Sequence, residues 1–312
     1  MLSAEDKPVG GQRKGSSDRE ELALTIGTFD GIHLGHQVLL DRTLEIAEAR
    51  GIESGAYTYE LPPRRYLNDS EPLLIMDPKT KLELLDSYVD NLIVGDFLAV
   101  KEYSPEQYVE EILVDDLNVD AVIIGDDWRF GKNRSGSYRD LIELSRGRFT
   151  VHPQSQLEKQ GRPISSTWIR EALAEGDVKL AKELLGRYPR YSGEVVKGDQ
   201  VGSEIGFPTA NLKLDHRVVL PKWGVYAAWA DLGDHKFEGA AHIGNRPTLN
   251  REGDRRVEIH LLDFDGEIYS EHLEIQLVRY LGNNQEYEGK SELKRAISDH
   301  VRRARKVFEE MD

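Results

Sequence analysis

Gly27-Thr28-Phe29-Asp30-Gly31-Ile32-His33-Leu34-Gly35-His36 decides how this 312-residue chain folds. The apolar run 22–26 before it predicts a buried strand. After it, Leu39, Leu40, Leu44 and Ala47 recur at helical spacing, and Gly51 is placed to cap the helix. The stretch is therefore a glycine-rich turn from strand to helix. His33 and His36 are three residues apart and fall on one face of the helix start. A helix N-terminus offers unpaired N–H groups and a partial positive charge, which makes it an anion site. Two imidazoles there can donate hydrogen bonds to a phosphate, and Gly35 lets the backbone come close. The plainer alternative is a histidine pair that merely caps a helix.

Outward from this turn, strand and helix patterns alternate to about residue 155. Strands are predicted at 55–61 and 91–97, and helices at 79–89 and from Ser104-Pro105 onward, where Tyr108, Ile112 and Leu113 share a face. Residues 119–124 are apolar but for Asp120, as in a parallel strand buried on both faces. The alternation predicts a doubly wound parallel α/β sheet, whose ligands lie at the carboxyl ends of the strands. The turn at 27–36 is at such an end. So is Gly125-Asp126-Asp127-Trp128-Arg129-Phe130-Gly131-Lys132-Asn133-Arg134-Ser135-Gly136, which mixes glycines, aromatics that can stack on a planar ring, and arginines that can grip phosphate. Taken alone it could also be a solvated basic loop. A third stretch, Ile164-Ser165-Ser166-Thr167-Trp168-Ile169-Arg170, reads first as a helix N-cap.

After a short helix at 177–185, short β-rich runs take over at 191–196, 224–230, 237–242, 256–262 and 273–280, with a closing helix at 292–308. That pattern predicts a mostly antiparallel β-barrel domain with a C-terminal helix. The expected organisation is a disordered polar tail over 1–20, an α/β domain over 21–186 and a barrel domain over 187–312. Within the barrel, Gly206-Phe207-Pro208-Thr209-Ala210-Asn211-Leu212 offers a hydroxyl and an amide oxygen, hard ligands suited to Mg2+. Upstream, Lys197-Gly198-Asp199-Gln200-Val201-Gly202-Ser203 is glycine-spaced, so its backbone can cradle phosphates. In Val257-Glu258-Ile259-His260-Leu261, alternation puts Glu258 and His260 on the face opposite the three apolar residues. A strand carboxylate projecting into a site can take a proton from an alcohol.

Composition narrows the chemistry. The chain has no cysteine, which excludes disulfides, thiolate catalysis and cysteine zinc sites. Its net charge of −15 argues against a nucleic-acid partner. No apolar run approaches ~20 residues, so no membrane partner is expected. The polar start does not read as a secretory signal, and cytoplasmic location follows by default. Gly289-Lys290-Ser291 ends like a Walker A loop, but Asn284 stands where its first glycine is required.

The H-x-G-H pattern resembles the nucleotidyltransferase signature, and the longer G-T-F-D-G-I-H-L-G-H-Q resembles the adenylyltransferase module of bacterial bifunctional riboflavin kinase/FAD synthetases. Loop 125–136, with Trp128 where that family has phenylalanine, the S-S-T-x-I-R stretch, G-F-P-T-A-N and V-E-x-H extend the likeness over about 21–305. The resemblance implies riboflavin phosphorylation to FMN with ATP and Mg2+ in the barrel, and FMN adenylation to FAD with release of pyrophosphate in the first domain. It implies that Gly27, Phe29, Gly35, Ser165, Ser166, Gly198 and Gly202 bind ATP and its phosphates. Asp127, Arg129, Phe130 and Arg134 would line the flavin, Thr209 and Asn211 would bind the metal, and His33, His36, Arg170 and Glu258 would carry catalysis. Partners would be small molecules alone, with the protein a monomer or weak homo-oligomer.

Five departures stand out: Pro63 at a usual histidine, Ser203 at a usual arginine, and Gly282 with Asn283 and Asn284 where arginine and two acids are usual. The altered 281–287 segment leaves a second possibility, adenylyl transfer alone beside a degenerate kinase half. A third is a flavin- or nucleotide-binding protein without turnover.

Overall fold

The computed structural model describes residues 12–13, 21–67, 72–198, 201–245, 255–285 and 287–311. The chain divides into two compact units, one of Met1–Pro72 and Pro78–Ser165, the other of Leu73–Asp77 and Ser166–Asp312.

The first unit contains Gln12–Arg13 (β1), Leu22–Ile26 (β2), Glu53–Tyr59 (β3), Asn91–Gly95 (β4), Val119–Gly125 (β5), Arg129–Phe130 (β6), Gly136–Ser137 (β7), Thr150–Gln154 (β8), Glu158–Lys159 (β9) and Arg162–Pro163 (β10). Five of these form a parallel sheet in the order β4-β3-β2-β5-β8, and β1 pairs antiparallel with the outer edge of β4. β1 falls inside the expected polar tail, whose other residues lie outside the described ones.

Period-2 alternation explains the two covered faces. Ala23, Ala121 and Ile123 turn to one side and pack on Ile46 and Ala47 of the helix Leu34–Arg50. Leu22, Leu24, Val122 and Ile124 turn to the other and pack on Tyr108, Val109, Ile112, Leu113 and Leu141. The chain winds outward from β2 through β3 to β4, then returns to β5 on the opposite side of β2. The order reverses between β2 and β5, which is where open α/β sheets hold ligands.

The helix predicted from Ser104-Pro105 begins as expected, with a Ser104–Gln107 capping box and Pro105 in the first turn. It then widens into a π-helix over Tyr108–Asp116, closed by Leu117 N–H donating to the Ile112 carbonyl at 3.0 Å. The buried pairs 108/109 and 112/113 recur every four residues, which suits the wider turn. Gly51 caps the helix Leu34–Arg50 in the left-handed conformation, φ 67.

The second unit holds helices Ser166–Glu175 and Val178–Leu185, then Arg190–Val196 (β11), Ala210–Lys213 (β12), Gly224–Leu232 (β13), His235–Asn245 (β14), Arg255–Leu261 (β15), His272–Gly282 (β16) and the helix Lys290–Glu309. The six strands close into an antiparallel barrel in the order β11-β12-β15-β14-β13-β16. Val195, Leu212, Ala241, Ile243, Val257, Ile259, Leu273 and Ile275 fill its interior. Outside, Ala304, Val307 and Phe308 of the last helix cover Val225, Ala227, Ala240 and Val278. Packing groups the two helices over 166–185 with the barrel, while helical periodicity gives way to strands at Gly186, near the expected boundary.

Candidate active sites

The turn after β2 is strained and closed. Phe29 and Ile32 adopt φ 50 and φ 40, a left-handed backbone that costs roughly 1–3 kcal/mol per bulky residue. Both side chains are fully buried, and Asp30 and His33 are 4% and 7% exposed. His33 is the N-cap residue but makes no side-chain cap bond. It stacks on His36 with centroids 3.7 Å apart and an interplanar angle of 16°, and Phe29 meets His36 edge-on at 5.2 Å. A Cβ on Gly35 would lie 3.2 Å from the His33 ring, and one on Gly27 3.1 Å from the Phe29 ring. A side chain at either position would press on the ring beside it, which would have to give by a few tenths of an ångström. The Gly35 position also lies 3.6 Å from the Ile164 carbonyl, so the 164–165 stretch runs beside the histidines.

Sequence reasoning missed Lys81, which looks like an ordinary helix lysine. In the helix Pro78–Asp86 it is 4% exposed and inserts beneath the turn. Its ammonium donates to the carbonyls of Tyr59 at 2.5 Å, Glu60 at 3.0 Å and Thr28 at 3.4 Å. Burial pushes its pKa down to about 8, against the pull of the Asp30 and Glu60 carboxylates.

On the other side of the switch point, β6 and β7 make a small hairpin in loop 125–136, pairing Arg129 with Ser137 and Phe130 with Gly136. Trp128 stacks on Phe130 at 4.8 Å and 12°. Phe130 is 6% exposed and touches Tyr108, so it backs Trp128 from within the core, and the partly exposed ring of the pair is Trp128. Asp127, Arg129 and Arg134 are exposed around it. Further on, Ser165 ends the first unit and Ser166 starts the helix Ser166–Glu175. Arg170 in that helix donates from Nε to the Leu73 carbonyl at 2.6 Å.

On the barrel, the candidate residues lie on the outer face of the wall. Asn211 on β12 stands opposite Glu258 on β15, and Glu258 stands opposite His242 on β14. Their chain neighbours Ala210, Leu212, Val257, Ile259, Ala241 and Ile243 all point into the barrel, so these three point out in one row. Arg256 lies on the same face. It forms an ion pair with Glu258 and donates from Nε to Asn211 Oδ1 at 3.2 Å. Burial and the Arg256 charge hold the His242 pKa below its ordinary value.

The G-F-P-T-A-N stretch is docked onto this strand. His260 Nδ1 lies 2.8 Å from the Pro208 carbonyl, a contact that requires the N–H on that nitrogen, and Phe207 meets the His260 ring at 5.4 Å. A Cβ on Gly202 would sit 2.3 Å from the Phe207 carbonyl oxygen, and one on Gly198 2.3 Å from the Asn211 amide nitrogen. Gly198 thus lies against Asn211 of the row, and Gly202 against the stretch that leads into it. Asp199 and Gln200 lie outside the described residues, as do Arg246, Pro247, Thr248 and Glu286.

The departures at 282–284 turn out to be neutral anchors. Asn284 donates to the Ile243 carbonyl at 3.0 Å and hydrogen-bonds His242, while Tyr280 Oη donates to Asn283 at 2.5 Å. Amides thus hold this loop against β14 where acids are usual. His242 escaped the sequence reading; its outward parity on β14, shared with Gly244, was the available signal.

Comparison with known proteins matches two families along the chain. A family described as FAD synthetase matches residues 15–168, and one described as riboflavin kinase matches 185–308. A bifunctional riboflavin kinase/FMN adenylyltransferase of Haemophilus influenzae is 37% identical over 92% of this chain and 94% of its own length. One from Bacillus subtilis is 31% identical over 93% and 94%. A crystal structure described as a macrolide-efflux protein from Streptococcus pneumoniae superimposes with a TM-score of 0.83 at 26% identity, covering 93% of this chain and 95% of that one. No helix among the described residues is long and apolar enough to cross a membrane.

Proposed function

The chain belongs to the bifunctional riboflavin kinase/FMN adenylyltransferase family and so phosphorylates riboflavin and adenylates FMN, and we propose that it does so at two separate places, each with its own residues. For phosphorylation, the row Asn211–Glu258–His242 carries the assignment. Glu258 takes the proton of the ribityl hydroxyl as that oxygen attacks the γ-phosphorus of ATP, and ADP leaves. Thr209 and Asn211 offer neutral oxygens that fit Mg2+, and Asn211 Oδ1 is already held toward a cation, the Arg256 guanidinium. When bound there, Mg2+ supplies charge that neutralises the phosphate oxygens. Gly198 and Gly202 keep the backbone of their loop close enough to meet the polyphosphate.

For adenylation, the stacked pair His33–His36 carries the assignment. An oxygen of the FMN phosphate attacks the α-phosphorus of ATP and the bond to pyrophosphate breaks, so no protein nucleophile is needed. The two imidazoles and the turn that holds Gly27, Phe29 and Gly35 steady the charge that builds in this step. Ser165, in the same unit as the histidines, receives the pyrophosphate end. Trp128, backed by Phe130, offers a stacking face to the flavin, with Asp127, Arg129 and Arg134 as polar and ionic contacts around it. The acidic net charge of −15 fits an enzyme of small molecules, working in the cytoplasm as a monomer or weak homo-oligomer.

A product time course tests both halves. Riboflavin with ATP and Mg2+ is expected to yield FMN first and FAD after it, with ADP and then pyrophosphate. FAD from supplied FMN, with no FMN ever formed from riboflavin, would remove the kinase half. A finer test is Gly35→Ala. Its methyl would press on the His33 ring, and FAD formation is expected to fall by about tenfold to 100-fold, with FMN formation from riboflavin unchanged.

A further inference from the structure

Among the described residues, Lys81 is the one lysine or arginine that is fully buried. A buried ammonium is costly unless every donor is met, and this one has three carbonyls for three N–H groups. Those carbonyls come from two places that sequence keeps apart: Thr28 in the turn after β2, and Tyr59 with Glu60 at the end of β3. Gly27 N–H adds a backbone bond to the Tyr57 carbonyl at 3.1 Å, and Thr58 Oγ1 lies 3.4 Å from the Thr28 carbonyl. The turn thus tied down contains Phe29 and Ile32 in left-handed backbone, which persists only when the surroundings hold it. It also contains the buried Asp30, which needs a cation nearby.

We propose that Lys81 is a positioning residue for adenylyl transfer, its ammonium clamping the turn that presents His33 and His36 to the carboxyl end of β3. This rests on the assignment of the histidine pair to that reaction. Lys81 acts through the backbone and touches neither ring. Without it the Thr28, Tyr59 and Glu60 carbonyls lose the ammonium they share, only the long Thr58 Oγ1 contacts at 3.4 Å still join Thr28 to Tyr59, and the stacked rings lose their fixed place.

Protonation gives this clamp a signature that a merely structural lysine lacks. The charged groups that act on the amine are Asp30 in the turn and Glu60 beyond β3, both favouring the charged form, while burial opposes it and prevails. Above a pH of about 8 the amine keeps only two N–H donors, so one carbonyl is released and Asp30 loses its counter-charge. The fold is not weakened by that loss. Because the folded-state pKa of about 8 lies below the ordinary 10.5, the unfolded chain binds more protons between the two values, and this contribution to stability rises with pH. Adenylyl transfer should therefore decline where stability does not.

The test measures FAD formation from FMN and FMN formation from riboflavin on the full chain, with melting temperature, from pH 7 to 9.5. In the unaltered protein the FAD-forming kcat is expected to fall about tenfold with a midpoint near pH 8, with no matching drop in melting temperature or in FMN formation. Lys81→Met is expected to lower it about 100-fold at pH 7 and to remove the decline above pH 8, with FMN formation within twofold of normal. Lys81→Arg keeps its charge throughout, so it should retain at least about a tenth of the rate and also lack the decline. Retention of the decline in Lys81→Arg, or a rate within threefold of normal in Lys81→Met, overturns the proposal. If Lys81→Met fails to fold, the Lys81→Arg profile decides. Full FAD synthesis by His36→Ala would sink the site assignment itself, whereas an inactive His36→Ala beside a fully active Lys81→Met sinks only the clamp.

Discussion

His36→Ala is expected to abolish FAD formation from FMN and ATP while riboflavin phosphorylation continues at its normal rate. The His36 ring lies between two others, stacked on His33 at 3.7 Å and edge-on to Phe29 at 5.2 Å. Removing it takes away one fixed donor and also frees the His33 ring to move. Loss of a single preorganised donor to a developing charge costs roughly 100-fold to 1,000-fold in rate, and loss of orientation in the remaining ring adds to that. The residue is only partly buried, so the fold should lose little. The second reaction on the same chain supplies the control, because FMN formation reports that the protein is intact. The measurement is chromatographic separation of FMN and FAD after incubation with each flavin in turn. Unchanged FAD synthesis would take the histidine pair out of the mechanism.

Glu258→Gln should do the reverse, suppressing FMN formation and sparing FMN adenylation. Glutamine keeps the shape of the side chain but cannot accept a proton, and general base catalysis contributes roughly 100-fold to 10,000-fold. The surroundings sharpen the expectation. Glu258 and Arg256 have side chains only 15% and 19% exposed and form an ion pair, so the substitution also leaves a largely buried guanidinium without its charge partner. The Arg256 bond to Asn211 Oδ1 remains and should keep the row in register. Equal loss of both reactions would contradict two separate sites. The same substitution tested for riboflavin binding separates the two roles, since a base needed only for proton transfer leaves affinity largely intact.

The elements that sequence located and those it missed differ in how local their causes are. β2 and β5 are apolar runs interrupted only by Thr25 and Asp120, and the turn between β2 and the helix Leu34–Arg50 carries its own glycines and cap, so each could be placed from its own residues. β8 reads Thr-Val-His-Pro-Gln, an edge strand that is half-buried and interrupted by proline, and no apolar run announces it. β12 is four residues long and begins within G-F-P-T-A-N, too short for a period to emerge. Inside the helical stretch 104–116, capping was legible at Ser104, but the switch to a π-helix was not, because it answers to what the buried pairs pack against.

The candidate sites divide in the same way. Alternation alone put Glu258 on the face opposite Val257, Ile259 and Leu261, and burial of those three bears that out. Nothing local marks His242, one of nine histidines, or Lys81, which shares its helix with the exposed Lys79. Each becomes notable only through groups brought from elsewhere in the chain.

By itself, then, sequence determined the two fold classes, the order of the motifs and the chemistry each side chain can offer. These follow from hydrogen-bond periods and turn conformations that act over a few residues. Only the tertiary structure decided which offers are combined. Barrel closure sets the register that lines up Asn211, Glu258 and His242, and the crossing of the helix Pro78–Asp86 under the sheet brings the Lys81 amine to carbonyls of two strand ends. Such neighbours are chosen by packing across distant parts of the chain, and no spacing within a motif encodes them.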